Sequence, residues 1–281
     1  MNPELADSYR HCRLVARRAA SNFAWAFRLL PAEQRRSMEA LYAFARQSDD
    51  LADGPEPASE KQRRLSAWRE QLNEALAGRP PGRILPALTD TVARHQIPGD
   101  YLRQIVTGVE MDLDHQGYET FAELRHYCER VASAVGLACL SIWDCKDERA
   151  NAPATDCGIA FQLTNILRDL CEDARLGRCY LPREDLARLE CNANEILAGQ
   201  NQEAWQRQVL FQCARARQLY ASAAATEKYL RGSGRRMFRL MHATYFALLA
   251  KIEREPAAVL TRRLRVSRPQ KVWIAVRTLV T

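Results

Sequence analysis

The chain is expected to be all-α, folded as a single-domain helical bundle, and three observations predict this. Strict alternation of apolar and polar residues is nearly absent, while apolar residues recur at spacings of three and four almost throughout. The periodic segments are separated by short glycine- and proline-bearing breaks such as GRPPG at 78–82. No Pro/Ser/Gly-rich linker and no fixed-period repeat divides the chain. In order, Leu14, Arg17 and Arg18 lead into a first helix interrupted by Pro31. A second helix runs from Ala32 to Asp53 and stops at Gly54 and Pro55. Helical patterns then cover roughly 59–77, 86–95, 99–110, 119–143, 155–175, 203–230 and 234–252, about ten helices in all. The pair Gly232 and Gly234 reads as a helix break.

Composition narrows the function. The chain has 281 residues, of which 47% are hydrophobic and 27% charged, so it is neither disordered nor too small for a substantial core. The net charge of +7 is local: residues 231–281 carry twelve Lys/Arg against Glu253 and Glu255, a balance of +10, so the first 230 residues sum to −3. Such a basic C-terminal segment suits phosphate, nucleic acid or an anionic membrane surface. Nine scattered cysteines without CxxC spacing read as reduced core residues of a cytoplasmic protein. The polar N-terminus lacks the apolar stretch of a signal peptide, and the longest apolar run, 131–143, is too short to span a bilayer. The expected location is cytoplasmic, with membrane association through the basic segment left open.

The informative pattern is a pair of polar stripes on otherwise apolar helices. Tyr42, Arg46, Asp49 and Asp53 are spaced 4, 3 and 4. At 100° per residue they share an arc of roughly 60°. Gln162, Asn165, Asp169 and Asp173 are spaced 3, 4 and 4, within roughly 80° by the same geometry. Like charges one turn apart cost an isolated helix about 0.2–0.5 kcal/mol, and Asp53 opposes the macrodipole at its helix end. One such pair is adequately explained as a solvated face. Two of the same kind are better explained by a bound cation.

Carboxylates without His or Cys in register suit Mg²⁺ rather than zinc. A di-iron bundle would need two ExxH elements, and only Glu123 with His126 fits. A glycosidase pair would leave the doubled carboxylates and the nearby Arg46, Arg168, Arg175 and Arg178 unexplained. Arginines suit diphosphate, and no P-loop, GxGxxG or kinase signature points to a nucleotide. An organic diphosphate handled in an apolar, aromatic-lined bundle is the chemistry of isoprenoids.

The residues resemble the squalene/phytoene synthase family, with its trans-isoprenyl diphosphate synthase fold. The matching stretches are NFAWAFRLLP at 22–31, ALYAFARQSDDLAD at 40–53, YCERVASAVG at 127–136, QLTNILRDLCED at 162–173, RCYLP at 178–182 and SRPQKVW at 267–273. The resemblance implies a central apolar cavity, with Asp49, Asp53, Asp169 and Asp173 as Mg²⁺ ligands. It places Gln162 and Asn165 at the reaction centre and Arg46, Arg168 and Arg178 on diphosphate. Tyr42 and Tyr127 would face prenyl chains or phosphates, Asn22 and Phe23 would contact substrate, and Tyr245 and Lys271 would be late cavity residues. The sequence departs from the family pattern in two places: only Ser21 and Asn22 stand where a Ser or His is common before the phenylalanine, and Gly54 replaces an acidic residue.

The activity so implied is a Mg²⁺-dependent head-to-head prenyl transfer. Condensation of two farnesyl diphosphates to presqualene diphosphate, and on to squalene or hydroxysqualene, is the favoured reading. Phytoene synthesis from two geranylgeranyl diphosphates is the alternative, and use of NADPH is left open. Other readings are a head-to-tail synthase, a terpene cyclase, or a basic helical nucleic-acid-binding protein that would leave both stripes unexplained. The mechanism expects preplaced positive charge on the leaving diphosphate and aromatic faces such as Phe23, Phe27, Tyr42 and Tyr127 on the allylic cation. The released diphosphate would serve as base. Trp143, Cys139 and the 131–135 stripe are expected in the core, and His95, His115 and His242 at the surface or satisfied. The acidic group Glu110, Asp112 and Asp114 is most simply solvated.

Overall fold

The computed structural model describes residues 2–18, 26–53, 56–113 and 116–280, and every regular element among them is helical. The helices are α1 (Pro3–Arg18), α2 (Ala32–Asp53), α3 (Ala58–Leu76), α4 (Leu85–His95), α5 (Gly99–Met111), α6 (Phe121–Cys128), α7 (Ala134–Ile142), α8 (Asn151–Arg175), α9 (Arg183–Arg188), α10 (Glu195–Ala198), α11 (Gln202–Ala223), α12 (Gly232–Arg254) and α13 (Arg268–Val280). α2 to α5 agree with the periodicity to within a residue or two. The first helix begins at Pro3, where a proline in the first turn forfeits no hydrogen bond. The long pattern 119–143 is broken by a π-helical turn at Glu129–Ser133, and the pattern 203–230 tightens to 3₁₀ after Ala223.

The contacts gather into two compact units. The first comprises Met1–Asp114, Ala134–Asn151 and Glu227–Phe238. Here α2 is the central helix, packed against α1, α3, α4, α5 and α7. Leu41, Ala43, Phe44, Ser48 and Leu51 are buried on it. Phe44 stacks on Trp68 of α3, and the Trp68 indole N–H donates to Ser48 Oγ at 2.9 Å. Ser8 of α1 accepts from the Ala87 N–H at 2.9 Å, capping α4 from a neighbouring helix where its own N-cap residue, Ile84, provides none. Gln34 links Asp144 and Ser233. The helices break just before Gly232, which adopts φ +52° at the start of α12, as the motif suggested. A Cβ on Gly234 would lie 2.6 Å from Trp143 Cβ, so the second glycine serves a close approach inside the helix. His95 meets Ser37 at 2.9 Å and is satisfied, as expected.

The second unit comprises His115–Ser133, Ala152–Thr226 and Arg239–Thr281. α8 runs through its core with Ile159, Leu163, Ile166, Leu167 and Leu170 buried. At Gly158 a Cβ would fall 2.4 Å from the Ser133 Cα, so only glycine lets α8 meet the π-turn, whose Ser133 hydroxyl donates to the Thr155 carbonyl at 2.7 Å. Val131, in the π-turn, and Val135, in the first unit, are half-buried rather than core. Asp185 of α9 is buried against Arg215 and Gln212 of α11, with Nη1–Oδ2 at 2.5 Å and Nε2–Oδ2 at 2.9 Å. His242 approaches the Tyr220 carbonyl at 3.2 Å. All nine cysteines are free thiols, six of them buried. No described helix is long and apolar enough to cross a membrane.

Candidate functional site: two carboxylate stripes

On α2, the buried apolar face turned to α1, α3, α4 and α5 leaves Tyr42, Arg46, Asp49 and Asp53 together on the remaining face. Tyr42 is half-buried, with the Phe27 ring edge-on at 6.1 Å between centroids. Arg46 reaches Asp50 at 2.5 Å, a partner one turn away that the stripe itself did not contain. Asp49 is exposed at the surface of its unit, with the protein crowded around its carboxyl on the inner side. That loss of hydration pushes its carboxyl up to about 7, helped by the charge on Asp53, opposed by Arg46, and raised further by Asp112 and Asp50. Asp112, just beyond α5, thus acts on the stripe, whereas its neighbour Glu110 is tied to Arg69 by a two-pronged ion pair. Asp114 lies outside the described residues, as do Asn22, Phe23 and His115.

On α8, the Asn165 amide donates to Gln162 Oε1 at 3.4 Å, and Asn165 Oδ1 is buried with no hydrogen-bond partner. Arg168 grips its neighbour Asp169 with both prongs, at 2.8 and 2.5 Å. A second guanidinium, Arg263 from the loop before α13, meets Asp169 at 2.9 Å and Glu172 at 3.1 Å. α8 ends in a Schellman-type turn: Gly177 adopts φ +72°, and the Arg178 N–H returns to the Asp173 carbonyl at 2.9 Å. This turn fixes where Arg178 leaves the helix carrying Asp173.

The aromatic residues split into two stacks within this unit. Tyr127 is buried between Tyr118 and Tyr180, with centroids at 5.6 and 5.5 Å. Tyr245 lies flat on Phe161 at 4.3 Å; burial raises its phenol pKa, while Arg168 and a hydrogen bond from Asn165 pull the other way. Tyr245, Asn165, Arg168 and Asp169 are therefore one connected group. Lys271 is half-buried on α13.

Among the described residues no three His, Cys, Asp or Glu side chains form a ready-made cation site; each stripe supplies two. The donor set nonetheless suits a hard cation, since a carboxylate held up near 7 by lost hydration and by the charge on Asp53 gains from added positive charge, and the orphaned Asn165 oxygen is a further acceptor. Sequence reasoning missed Asp50 and Glu172 and did not connect Arg263 with Asp169. Asp50 was within reach, being one turn from Arg46. Arg263 is separated from Asp169 by 94 residues, and no local spacing signals such a pair.

The squalene/phytoene synthase family model matches residues 16–270. A phytoene synthase of Arthrospira platensis is 38% identical over 231 residues, 78% of this chain and 75% of the relative. The 15-cis-phytoene synthase of a Synechocystis species is 33% identical over 278 residues, 95% of this chain and 82% of the relative. Among solved structures, the squalene synthase HpnC of Alicyclobacillus acidocaldarius superposes with a TM-score of 0.84 at 27% identity, covering 91% of this chain and 96% of that one. A dehydrosqualene synthase in complex with a ligand gives a TM-score of 0.86 at 25% identity, covering 99% and 97%. The chain has the all-α isoprenoid synthase fold and belongs to the squalene/phytoene synthase family, whose members are prenyltransferases.

Proposed function

We propose that this enzyme condenses two geranylgeranyl diphosphates head to head to phytoene. The observation that carries the chemistry is the repetition on α2 and α8 of one arrangement: an apolar helix whose polar stripe ends in two carboxylates one turn apart, with arginines beside them. Support for the C20 substrate comes from the phytoene synthase names of the relatives at 38% and 33% identity. They favour this reading over the farnesyl one that the motifs alone suggested. The farnesyl reading stays as the second, favoured by the similarity to the squalene and dehydrosqualene synthase structures.

Asp49 and Asp53 on α2, and Asp169 and Asp173 on α8, would hold Mg²⁺, which when bound supplies positive charge to a leaving diphosphate. Arg46, Arg168 and Arg178 hold phosphate oxygens, and their charge stabilises the diphosphate more as it leaves than while it is esterified, which lowers the barrier. Tyr42 with Phe27, and Tyr245 with Phe161, offer aromatic faces to the allylic cation, on the order of 1–2 kcal/mol each when dry. Gln162 and Asn165 orient the reacting end of the chain, and Tyr127 holds the wall through its two tyrosine neighbours. The double bond of the second prenyl chain attacks the cation, and proton loss to the released diphosphate closes a cyclopropane that keeps the second diphosphate. Loss of that diphosphate, rearrangement of the resulting cation and a second proton loss then give the C40 hydrocarbon with no reductant.

The test is mass analysis of products from farnesyl and geranylgeranyl diphosphates, each with and without NADPH. A C40 hydrocarbon from the C20 substrate is expected. A C30 product made much faster would transfer the assignment to the farnesyl reading, and products requiring isopentenyl diphosphate would overturn head-to-head condensation altogether.

A further inference from the structure

We infer that α13 is a membrane-docking helix, laid on the surface of an anionic lipid bilayer by an apolar face that the fold leaves open. Surface helices usually bury their one apolar stripe; α13 has two. Ile274 is buried at 5% exposure and seats the helix in its unit, whereas Val272, Trp273 and Val276 are 64%, 60% and 56% exposed. Pro269, Val272, Trp273 and Val276 follow i, i+3, i+4, i+7, an arc of roughly 100° on the side of the helix away from Ile274. Of the seven large hydrophobic side chains exposed among the described residues, three lie on this one face, so the clustering is not ordinary surface scatter.

Charge selects the occupant. Residues 256–281 contain six Lys/Arg and no acidic residue, whereas the first 230 residues sum to −3. Arg277 is exposed beside the apolar arc with its guanidinium over the Trp273 ring at 5.4 Å. An apolar body with a cation at its edge suits the interface, where tryptophan sits at headgroup level and arginine reaches phosphate. Arg265 is exposed in the preceding loop and extends the positive surface, whereas Arg262 nearby is paired with Glu255 at 3.3 Å. A second copy of this chain would bring two basic surfaces together, and nucleic acid would leave the aliphatic face wet. An anionic bilayer satisfies both features, as in other helices that lie in the interface plane.

Flotation of the full chain, without substrate or metal, tests this with vesicles of phosphatidylcholine alone and with added phosphatidylglycerol. Binding is expected to the mixed vesicles and to weaken at roughly 0.5 M salt. Joint replacement Trp273→Ser and Val276→Ser should lower partitioning about tenfold or more. Arg277→Gln should lower only the part that depends on phosphatidylglycerol, and all of these side chains are exposed, so the fold persists. Absence of flotation at low salt, or undiminished flotation of the double variant, overturns the proposal. So does a concentration-dependent dimer that the double variant abolishes and vesicles fail to disperse, or capture of duplex DNA in place of vesicles. No prenyl substrate enters the experiment, so its failure leaves the proposed condensation untouched.

Discussion

The stripes on α2 and α8 share one sequence pattern and differ in their electrostatics. On α2 the arginine pairs with Asp50, and Asp49 is pushed up to about 7 by lost hydration and by the charge on Asp53, with Arg46 opposing. On α8 the corresponding Asp169 is gripped by Arg168 and again by Arg263. If a cation binds as proposed, it would displace a proton at the first stripe and compete with guanidinium groups already in place at the second. The two halves of a doubled motif thus differ in what surrounds their carboxylates.

The comparison breaks outright if either stripe is dispensable. Asp49→Ala and Asp169→Ala are each expected to lower diphosphate release by at least about a thousandfold, with the far-UV helical signal unchanged; a variant that still turns over removes its stripe from the chemistry. Next in size, Gly158→Ala drives a Cβ into the Ser133 backbone and should cost about 2–4 kcal/mol in urea unfolding. A near-neutral result would mean the π-turn yields easily and does not position α8.

A pH series sharpens the contrast. Asp49 must lose its proton to bind a cation, so Mg²⁺ affinity measured by calorimetry should fall about tenfold per unit as pH drops below 7, and Asp49→Asn should abolish that slope. Because this folded-state pKa lies above the unfolded value, the native state holds the proton more tightly. The metal-free protein should therefore lose stability as pH rises from about 4 through 7. Mg²⁺ should recover part of it. The smallest effect is expected from Arg263→Gln: with one competitor gone from Asp169, calorimetry should show metal alone binding a few-fold more tightly. Weaker binding would mean that Arg263 instead helps shape the site.

Much of this was legible beforehand. The limits of α2, the positions of α3 to α5 and the alignment of both stripes follow from spacing, because helical periodicity and glycine–proline stops are local properties. The π-turn at Glu129–Ser133 was not, and its Ser133 backbone meets Gly158 of another helix, a contact that no local spacing signals. α13 is not among the helical patterns read from the sequence, the last of which ends at 252; its Pro269 stands in the first turn, where the missing N–H costs nothing.

The amino-acid order by itself thus determined which side chains share a helix face, and through the doubled stripes the kind of chemistry they suit. Only the tertiary structure decided which charges meet. Arg263 finds Asp169 across 94 residues, Arg46 chooses Asp50 over its stripe, and Ile274 is covered while Trp273 is left open. The physical reason is range: backbone hydrogen bonding repeats every few residues and can be read along the chain, whereas Coulomb pairing and burial depend on distances set only when the helices pack.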